Sequence, residues 1–154
     1  MSNITLQQAA AIVDAALEKG REVGLLPLTV AVLDAGGHLV AFKREDGSGI
    51  LRPDIAIGKA WGALGMGIPS RTLRDRLADR PTFINALAAA SDGRLIPVPG
   101  GVLIRASDGD IVGAVGISGD TSDKDEACAI AGIEAAGLQP IPAEPAPDWR
   151  ESSL

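Results

Sequence analysis

The chain has 154 residues, a net charge of −6, 46 % hydrophobic residues and only 3 % aromatic residues. This length fits one domain with a real core, and the negative charge argues against non-specific binding to nucleic acid or to anionic membranes. The start MSNITLQQAA lacks the features of a secretory signal, and no apolar run reaches the roughly 20 residues of a membrane span. We therefore expect a cytoplasmic protein without nucleic-acid or membrane partners.

The N-terminal third predicts a helix followed by a β-hairpin. Thr5 and Gln8 form a capping-box pair, and apolar residues then follow helical spacing. The segment PLTVAVLD is rich in β-branched residues and predicts a strand. The glycine turn AGG and the segment HLVAFKR complete the hairpin.

Helices are predicted for the middle of the chain. After the loop EDGSG, Pro53 suits the first turn of a helix that continues through PDIAIGKAWGALGM. Ser70 is the expected cap of the next helix, RTLRDRLADR, in which Arg71 and Asp75 are expected on a solvated face. Pro81 stops that helix, and TFINALAAA makes a further short one.

The C-terminal third returns to strands and ends in a helix. Residues 102–105 are expected to pair with residues 110–117 across the turn SDG. The last helix begins in DTSDKDEACAIAG, with Ser122 and Asp125 resembling a capping pair. We predict one α+β domain over residues 1–140, an antiparallel sheet with helices packed on it, and a proline-rich tail over residues 141–154.

Four separated motifs carry a family resemblance over about residues 5–138. VAVLDAGGHLVAFKREDG, IAIGKAWGA with IPS, VPGGVLIR, and IVGAVGISGDTSDKDEACAIAG resemble the GlcG/HbpS-like family, which includes the C-terminal domain of PduO-like proteins. The resemblance implies a sheet of about five antiparallel strands flanked by helices, and homo-oligomers of up to eight copies. It also implies varied functions, since some members bind haem, others act in catabolic pathways, and one type resembles a tautomerase of unsaturated hydroxy-acids.

Haem is thus the cofactor to consider, although the residues offer few iron ligands. His38 is the only histidine and a candidate ligand-binding residue, but its place at the hairpin turn favours a solvent-facing or turn-packing residue. Haem-binding relatives are often ligated from histidines nearer the N-terminus, where this chain has none. Cys128, the only cysteine, lies among alanines, as expected of inert packing. A single cysteine excludes an internal disulfide. The sequence also lacks the spacing of His, Cys and carboxylate residues that is typical of a zinc site.

Two cations point instead to an anionic ligand. Arg52 stands just before a helix N-terminus, where N–H groups and a guanidinium both favour a carboxylate. It could equally be a surface arginine that contacts the loop. Lys59 is the only charge after Asp54 in an otherwise apolar helix, so it either snorkels to water or lines a pocket or an interface. If a pocket exists, both cations are expected near its mouth, in the segment from Asp46 to Lys59.

The last helix supplies the candidate acids. Glu126 shares a helical face with Ile130 and Ile133, where a carboxylate needs a perturbed pKa or a cationic partner. The alternative is that Glu126 and Asp125 stabilise the start of the helix through its dipole. Lys59 and Glu126 are therefore the catalytic candidates. Asp125 joins Arg52 and His38 as a candidate ligand-binding residue.

Three functions remain open from the sequence. The first is a small-ligand-binding protein that takes haem or another planar or carboxylate anion in a homo-oligomer. The second is a tautomerase or isomerase of a small unsaturated acid, in which Arg52 holds the carboxylate and Lys59 or Glu126 moves a proton. The third is a structural assembly subunit. The sequence does not decide whether the protein is an enzyme.

Overall fold

A five-stranded antiparallel sheet organises the computed structural model, which describes residues 3–154. The strand order is β2-β1-β4-β3-β5, and the α+β class predicted from the sequence is confirmed. The elements in chain order are α1 Leu6–Glu22, β1 Thr29–Asp34, β2 Leu39–Arg44, α2 Arg52–Met66, α3 Ser70–Leu77, α4 Pro81–Ala90, β3 Gly101–Arg105, β4 Ile111–Ser118, α5 Ser122–Ala135, β5 Gln139–Ile141 and a 3-10 turn Trp149–Glu151.

The sheet is covered on both faces. Helices α1 and α5 pack together over one face, with Val30 and Val32 of β1 in the core beneath them. Helix α2 covers the other face, where Leu33 of β1 packs beside Ala60 and Ala63. Because both faces of β1 are buried, its residues 30–33 form a continuous apolar run and do not alternate with polar residues.

Small residues let α2 lie close to the sheet. A Cβ added to Gly116 of β4 would overlap the backbone oxygen of Ala56 in α2, so no other residue fits at this position. This close approach brings the side chains of α2 into contact with the ends of β3 and β4, which is where the site is built.

The helix starts agree only in part with the predictions. Thr5 and Gln8 form the predicted capping box. Ser70 is not a cap: Pro69 holds that position, and the Ser70 hydroxyl instead accepts from the N–H of Gly101 at 2.8 Å. The cap of α5 is Thr121, one residue before the predicted Ser122.

The segment after α5 is part of the packed structure. Strand β5 pairs with β3, and Trp149 is buried. The predicted boundary between residues 140 and 141 therefore falls inside β5, while residues 1 and 2 of the predicted domain lie outside the described part. No helix in residues 3–154 is long and apolar enough to cross a membrane.

Candidate functional site: a cavity along helix α2

A cavity of about 760 Å³ runs along α2 and is closed by the segment before β3 and by the loop between β4 and α5. Its walls combine apolar side chains with seven charged ones, of which three are cations and four are carboxylates. The lining residues are Leu51, Arg52, Asp54, Ile55, Ile57, Gly58, Lys59, Trp61, Asp92, Gly93, Arg94, Ile96, Val98, Ser118, Asp120, Ser122 and Asp125.

A buried ion pair forms the floor of the cavity. The ammonium of Lys59 donates to the backbone oxygen of Ile117 at 2.9 Å and lies 3.2 Å from Oδ2 of Asp125. The two side chains are only 2 % and 1 % exposed. Lys59 therefore lines the cavity, which was one of the alternatives from the sequence. It lies at the floor of the cavity, whereas the sequence predicted a place near the mouth.

Glycines make room for this lysine. A Cβ on Gly100 would lie 2.9 Å from Nζ of Lys59, and one on Gly101 would overlap the Lys59 backbone oxygen. Gly100 also has φ +122°, which residues with side chains rarely adopt. The two glycines of PGG, at the start of β3, are thus required for the close approach to α2.

Burial shifts both members of the pair toward their neutral forms. Desolvation lowers the pKa of Lys59, while the charge of Asp125 opposes that shift. Desolvation likewise raises the pKa of Asp125 to about 6, although Lys59 and the N–H of Asp120 stabilise the carboxylate. Asp125 can therefore take up or release a proton closer to neutral pH than an exposed carboxyl group would.

Arg52 lies on the wall, half-buried. Its guanidinium donates to the Ser118 hydroxyl at 3.1 Å, and among residues 3–154 it forms no ion pair with a carboxylate. Arginine presents five N–H donors in a planar fork. Most of its capacity is consequently free for a ligand.

Asp120 fixes the loop that leads into α5. Its carboxylate accepts from the N–H groups of Leu26 at 2.9 Å and Thr121 at 2.7 Å. Burial would raise the pKa of Asp120, but these hydrogen bonds outweigh it and hold the pKa below its usual value. Each carboxylate oxygen of Asp120 thus already accepts one backbone N–H, which gives this residue a structural role.

The far end of the cavity carries a stacked cation. The guanidinium carbon of Arg94 lies 3.9 Å from the ring centroid of Trp61, which is a cation–π contact. The backbone beside Arg94 touches α2 at Gly58, where a Cβ would overlap the Arg94 oxygen. The segment over the cavity is thus held by a glycine contact and by this stacked pair.

Glu126 is fully buried but does not belong to the lining of this cavity. Nε of Arg71 donates to its Oε2 at 3.1 Å, and NH2 of Arg71 lies 3.0 Å from Oε1. Burial raises the pKa of Glu126 and the charge of Arg71 opposes the shift. Arg71 is therefore not on the solvated face that its sequence pattern suggested.

His38, a candidate ligand-binding residue, and Cys128, expected to have an inert packing role, both lie outside the lining of the cavity. His38 is 82 % exposed on the hairpin turn, with Nδ1 3.3 Å from Oδ1 of Asp34. Cys128 is buried in the core, where desolvation raises the pKa of its thiol to about 12. No group of three His, Cys, Asp or Glu within residues 3–154 could hold a metal ion.

The structure thus brings together Arg52, Lys59 and Asp125, but neither Glu126 nor His38. Sequence reasoning missed the Trp61–Arg94 pair and Asp120. The glycine-rich segment GISGD gave a partial signal for Asp120, because glycines there allow a close backbone approach.

Comparison with known proteins identifies relatives. The sequence model of the family described as "Haem degrading protein HbpS-like" matches residues 4–134. A curated relative is an uncharacterized 15.0 kDa protein of the dhaT-dhaS intergenic region in Citrobacter freundii. It is 26 % identical over 125 residues, which cover 81 % of this chain and 86 % of the relative.

Solved structures share the fold. A double mutant of Streptomyces reticuli HbpS is 30 % identical with a TM-score of 0.74, covering 87 % of each chain. Klebsiella pneumoniae ORFY is 25 % identical with a TM-score of 0.80, covering 89 % of this chain and 92 % of ORFY. A haem complex of PduOC is 24 % identical with a TM-score of 0.79, covering 88 % and 96 % of the two chains.

Proposed function

The chain belongs to the HbpS-like family, and from that premise we propose that it binds a small planar anion whose carboxylate meets Arg52 in the cavity along α2. The family description makes haem, a planar ring with two propionates, the first ligand to test. Smaller unsaturated or aromatic carboxylates are the alternatives that the same chemistry would accept.

The observation that carries the proposal is the guanidinium of Arg52, which forms no ion pair with a carboxylate among residues 3–154 and lies on a largely apolar wall. Ligand sites typically combine a volume of about 300–1,000 Å³ with apolar walls and a few polar groups that fix orientation. The cavity volume of about 760 Å³ lies within that range. The lining as a whole has one more carboxylate than cations, so anion binding depends on local contact with Arg52 and not on the field of the cavity.

Haem ligated through its iron does not fit this cavity. Haem iron is held by His, Cys, Met or Tyr, and among residues 3–154 none of these lines the cavity. Ring contacts and an Arg52–carboxylate pair would be the means of holding a planar ring here. We expect haem to bind without the sharp Soret change of axial ligation, and His38→Ala to leave its absorbance spectrum unchanged.

Titration of Arg52→Gln tests the binding site. Benzoate and haem are the two probes, and Arg105→Gln, an exposed arginine outside the lining, is the matched control. Loss of a charge-assisted hydrogen bond is worth about 1.5–3 kcal/mol, so affinity should fall by about 10- to 100-fold in Arg52→Gln only. Equal effects of the two variants, or no binding by the wild type, would refute the proposal.

A second candidate function is isomerisation of a small unsaturated acid, favoured by the proton affinities of Lys59 and Asp125. With the carboxylate on Arg52, the pair would remove a proton from one carbon and return it to another, which shifts the double bond with no co-reactant. In this scheme Asp125, not Glu126, works with Lys59. Deuterium uptake from heavy water into an unsaturated hydroxy-acid, followed by NMR, should occur with wild type and cease in Asp125→Asn.

We further propose that the protein is a homo-oligomer. Leu51 of the cavity lining is 61 % exposed, and its chain neighbour Ile50 is 90 % exposed. Helix α4 has an apolar sequence with no buried residue among its ten, and exposed apolar patches of this kind mark contact surfaces. Assembly would cover them, and it is also what the third hypothesis, a structural subunit, requires.

A further inference from the structure

The segment that follows β5 contacts the part of the cavity wall that contains Asp120 and Ser122. Thr121 caps α5 and stands between Asp120 and Ser122, which both line the cavity. Its hydroxyl lies 2.5 Å from the hydroxyl of Ser152, near the C-terminus. The family match ends at residue 134, so it says nothing about this contact.

The direction of this hydrogen bond follows from proton counting. Ser152 donates its only hydroxyl proton to the backbone oxygen of Trp149 at 2.8 Å, so toward Thr121 it can only accept. Thr121 must then donate to Ser152, which leaves its lone pairs for the N–H of Lys124 at 3.4 Å. Ser152 thereby orients the capping hydroxyl of α5.

A second contact fixes the same segment. NH2 of Arg71 donates to the backbone oxygen of Glu144 at 2.7 Å while the same side chain pairs with Glu126 of α5. Trp149, between the two contacts, is buried and its turn packs against α5. The segment is therefore attached to the start of α5 on both sides of Trp149.

We propose that residues 142–154 are a positioning element of the site, in which Ser152 acts through Thr121 to hold Asp120, Ser122 and Asp125 in the cavity wall. Asp125 depends on this cap directly, because its N–H donates to the Thr121 backbone oxygen at 2.9 Å and its Oδ1 accepts from Asp120. The consequence for ligand affinity rests on the proposed function, whereas the effect on Asp125 does not.

The test compares Ser152→Ala with Ser153→Ala, its exposed neighbour, and with Ser152→Thr, which retains the hydroxyl. In Ser152→Ala we expect at least tenfold faster hydrogen exchange at the Lys124 and Asp125 amides. We also expect a lower midpoint for the Asp125 carboxyl in an NMR titration, because burial is the main cause of its raised pKa. Ser153→Ala should match wild type, and Ser152→Thr should restore both values.

The two proposals fail in different ways. If Ser152→Ala matches Ser153→Ala in amide exchange and in the Asp125 titration, the positioning role is refuted whether or not a ligand binds. If wild type binds neither benzoate nor haem while Ser152→Ala still changes Asp125, the binding function is refuted and the positioning role stands. If the binding function and the positioning role are both correct, Ser152→Ala should weaken benzoate binding about fivefold or more.

Discussion

At the scale of single residues, the Lys59–Asp125 pair affects both the free energy of unfolding and the proton affinity of the cavity floor. Both side chains are almost fully buried, so each depends mainly on the other and on backbone groups for its solvation. A buried pair of this kind contributes little net stability compared with apolar residues, but removal of one partner leaves an uncompensated charge. Function, not stability, is thus the better reason for such a pair on a cavity floor.

We predict that Lys59→Met lowers the free energy of unfolding by about 3–5 kcal/mol, because Asp125 then remains buried without its cation. Lys43→Met, which breaks an exposed pair with Asp14, should cost at most about 1 kcal/mol. Urea unfolding measures both. If the two variants lose equal stability, the buried pair is not maintained in solution. The double variant Lys59→Met, Asp125→Asn should recover part of the loss.

Asp125 should also make stability depend on pH. Its folded-state pKa is about 6 against an ordinary value of 3.8, so between these values the folded state holds a proton that the unfolded state has released. Its contribution is therefore present in full below pH 3.8 and is lost as the pH rises through 6. The stability of wild type relative to Asp125→Asn should fall from about pH 4 to about pH 7.

Urea titrations at several pH values measure that difference. Asp123→Asn, which removes the charge of a partly exposed acid at the same helix start, is the matched control. A wild-type stability that rises relative to Asp125→Asn across the same range would contradict the raised pKa.

At the scale of elements, glycines of α2 set the shape of the cavity. Gly58 faces the backbone of Arg94, which leaves no room for a Cβ, whereas a Cβ on Gly65 would meet nothing within 4 Å. Both glycines lie in the same helix with ordinary helical backbone. They therefore differ in tertiary contact and not in helix propensity.

Gly58→Ala should displace the segment around Arg94 and lower stability, while Gly65→Ala should gain about 0.5–1 kcal/mol from helix propensity. Thermal unfolding gives the stabilities. Fluorescence of Trp61, recorded in a Trp149→Phe background because the chain has two tryptophans, reports the position of Arg94. Equal stabilisation by both substitutions would show that the segment lies farther from α2 than described.

At the scale of the whole molecule, exposed apolar surface predicts association. Helix α4 presents Phe83 and several alanines without burying any of them within the chain. We expect sedimentation to show species larger than the 15.7 kDa monomer at micromolar concentration. Phe83→Glu should weaken the assembly, and Asn85→Glu, which adds the same charge at an exposed polar position of α4, should affect it less.

A monomer at these concentrations would contradict the oligomer proposal and remove the structural-subunit hypothesis with it. If Asn85→Glu disrupts assembly as strongly as Phe83→Glu, charge on α4 and not the apolar contact controls association.

Local signals in the sequence determined much of the fold. The capping box of α1, the hairpin of β1 and β2 and the apolar pattern of α2 depend on neighbouring residues, whose propensities act over a few positions. The local sequence also singled out Lys59, because a single cation among the apolar residues of a helix is unusual unless it lines a pocket or an interface. The prediction of five strands came from the family resemblance, because local signals alone did not predict every strand.

Only the tertiary structure decided which acid meets Lys59. Asp125 and Glu126 are adjacent in the chain but point about 100° apart around α5, so the rotation of the helix selects between them. Packing sets that rotation: Gly132 of α5 lies against α1, where a Cβ would be 2.7 Å from the backbone oxygen of Ile12. Asp125 therefore faces Lys59, 66 residues away, and Glu126 faces Arg71. Such partners depend on contacts between distant elements, which spacing along the chain does not specify.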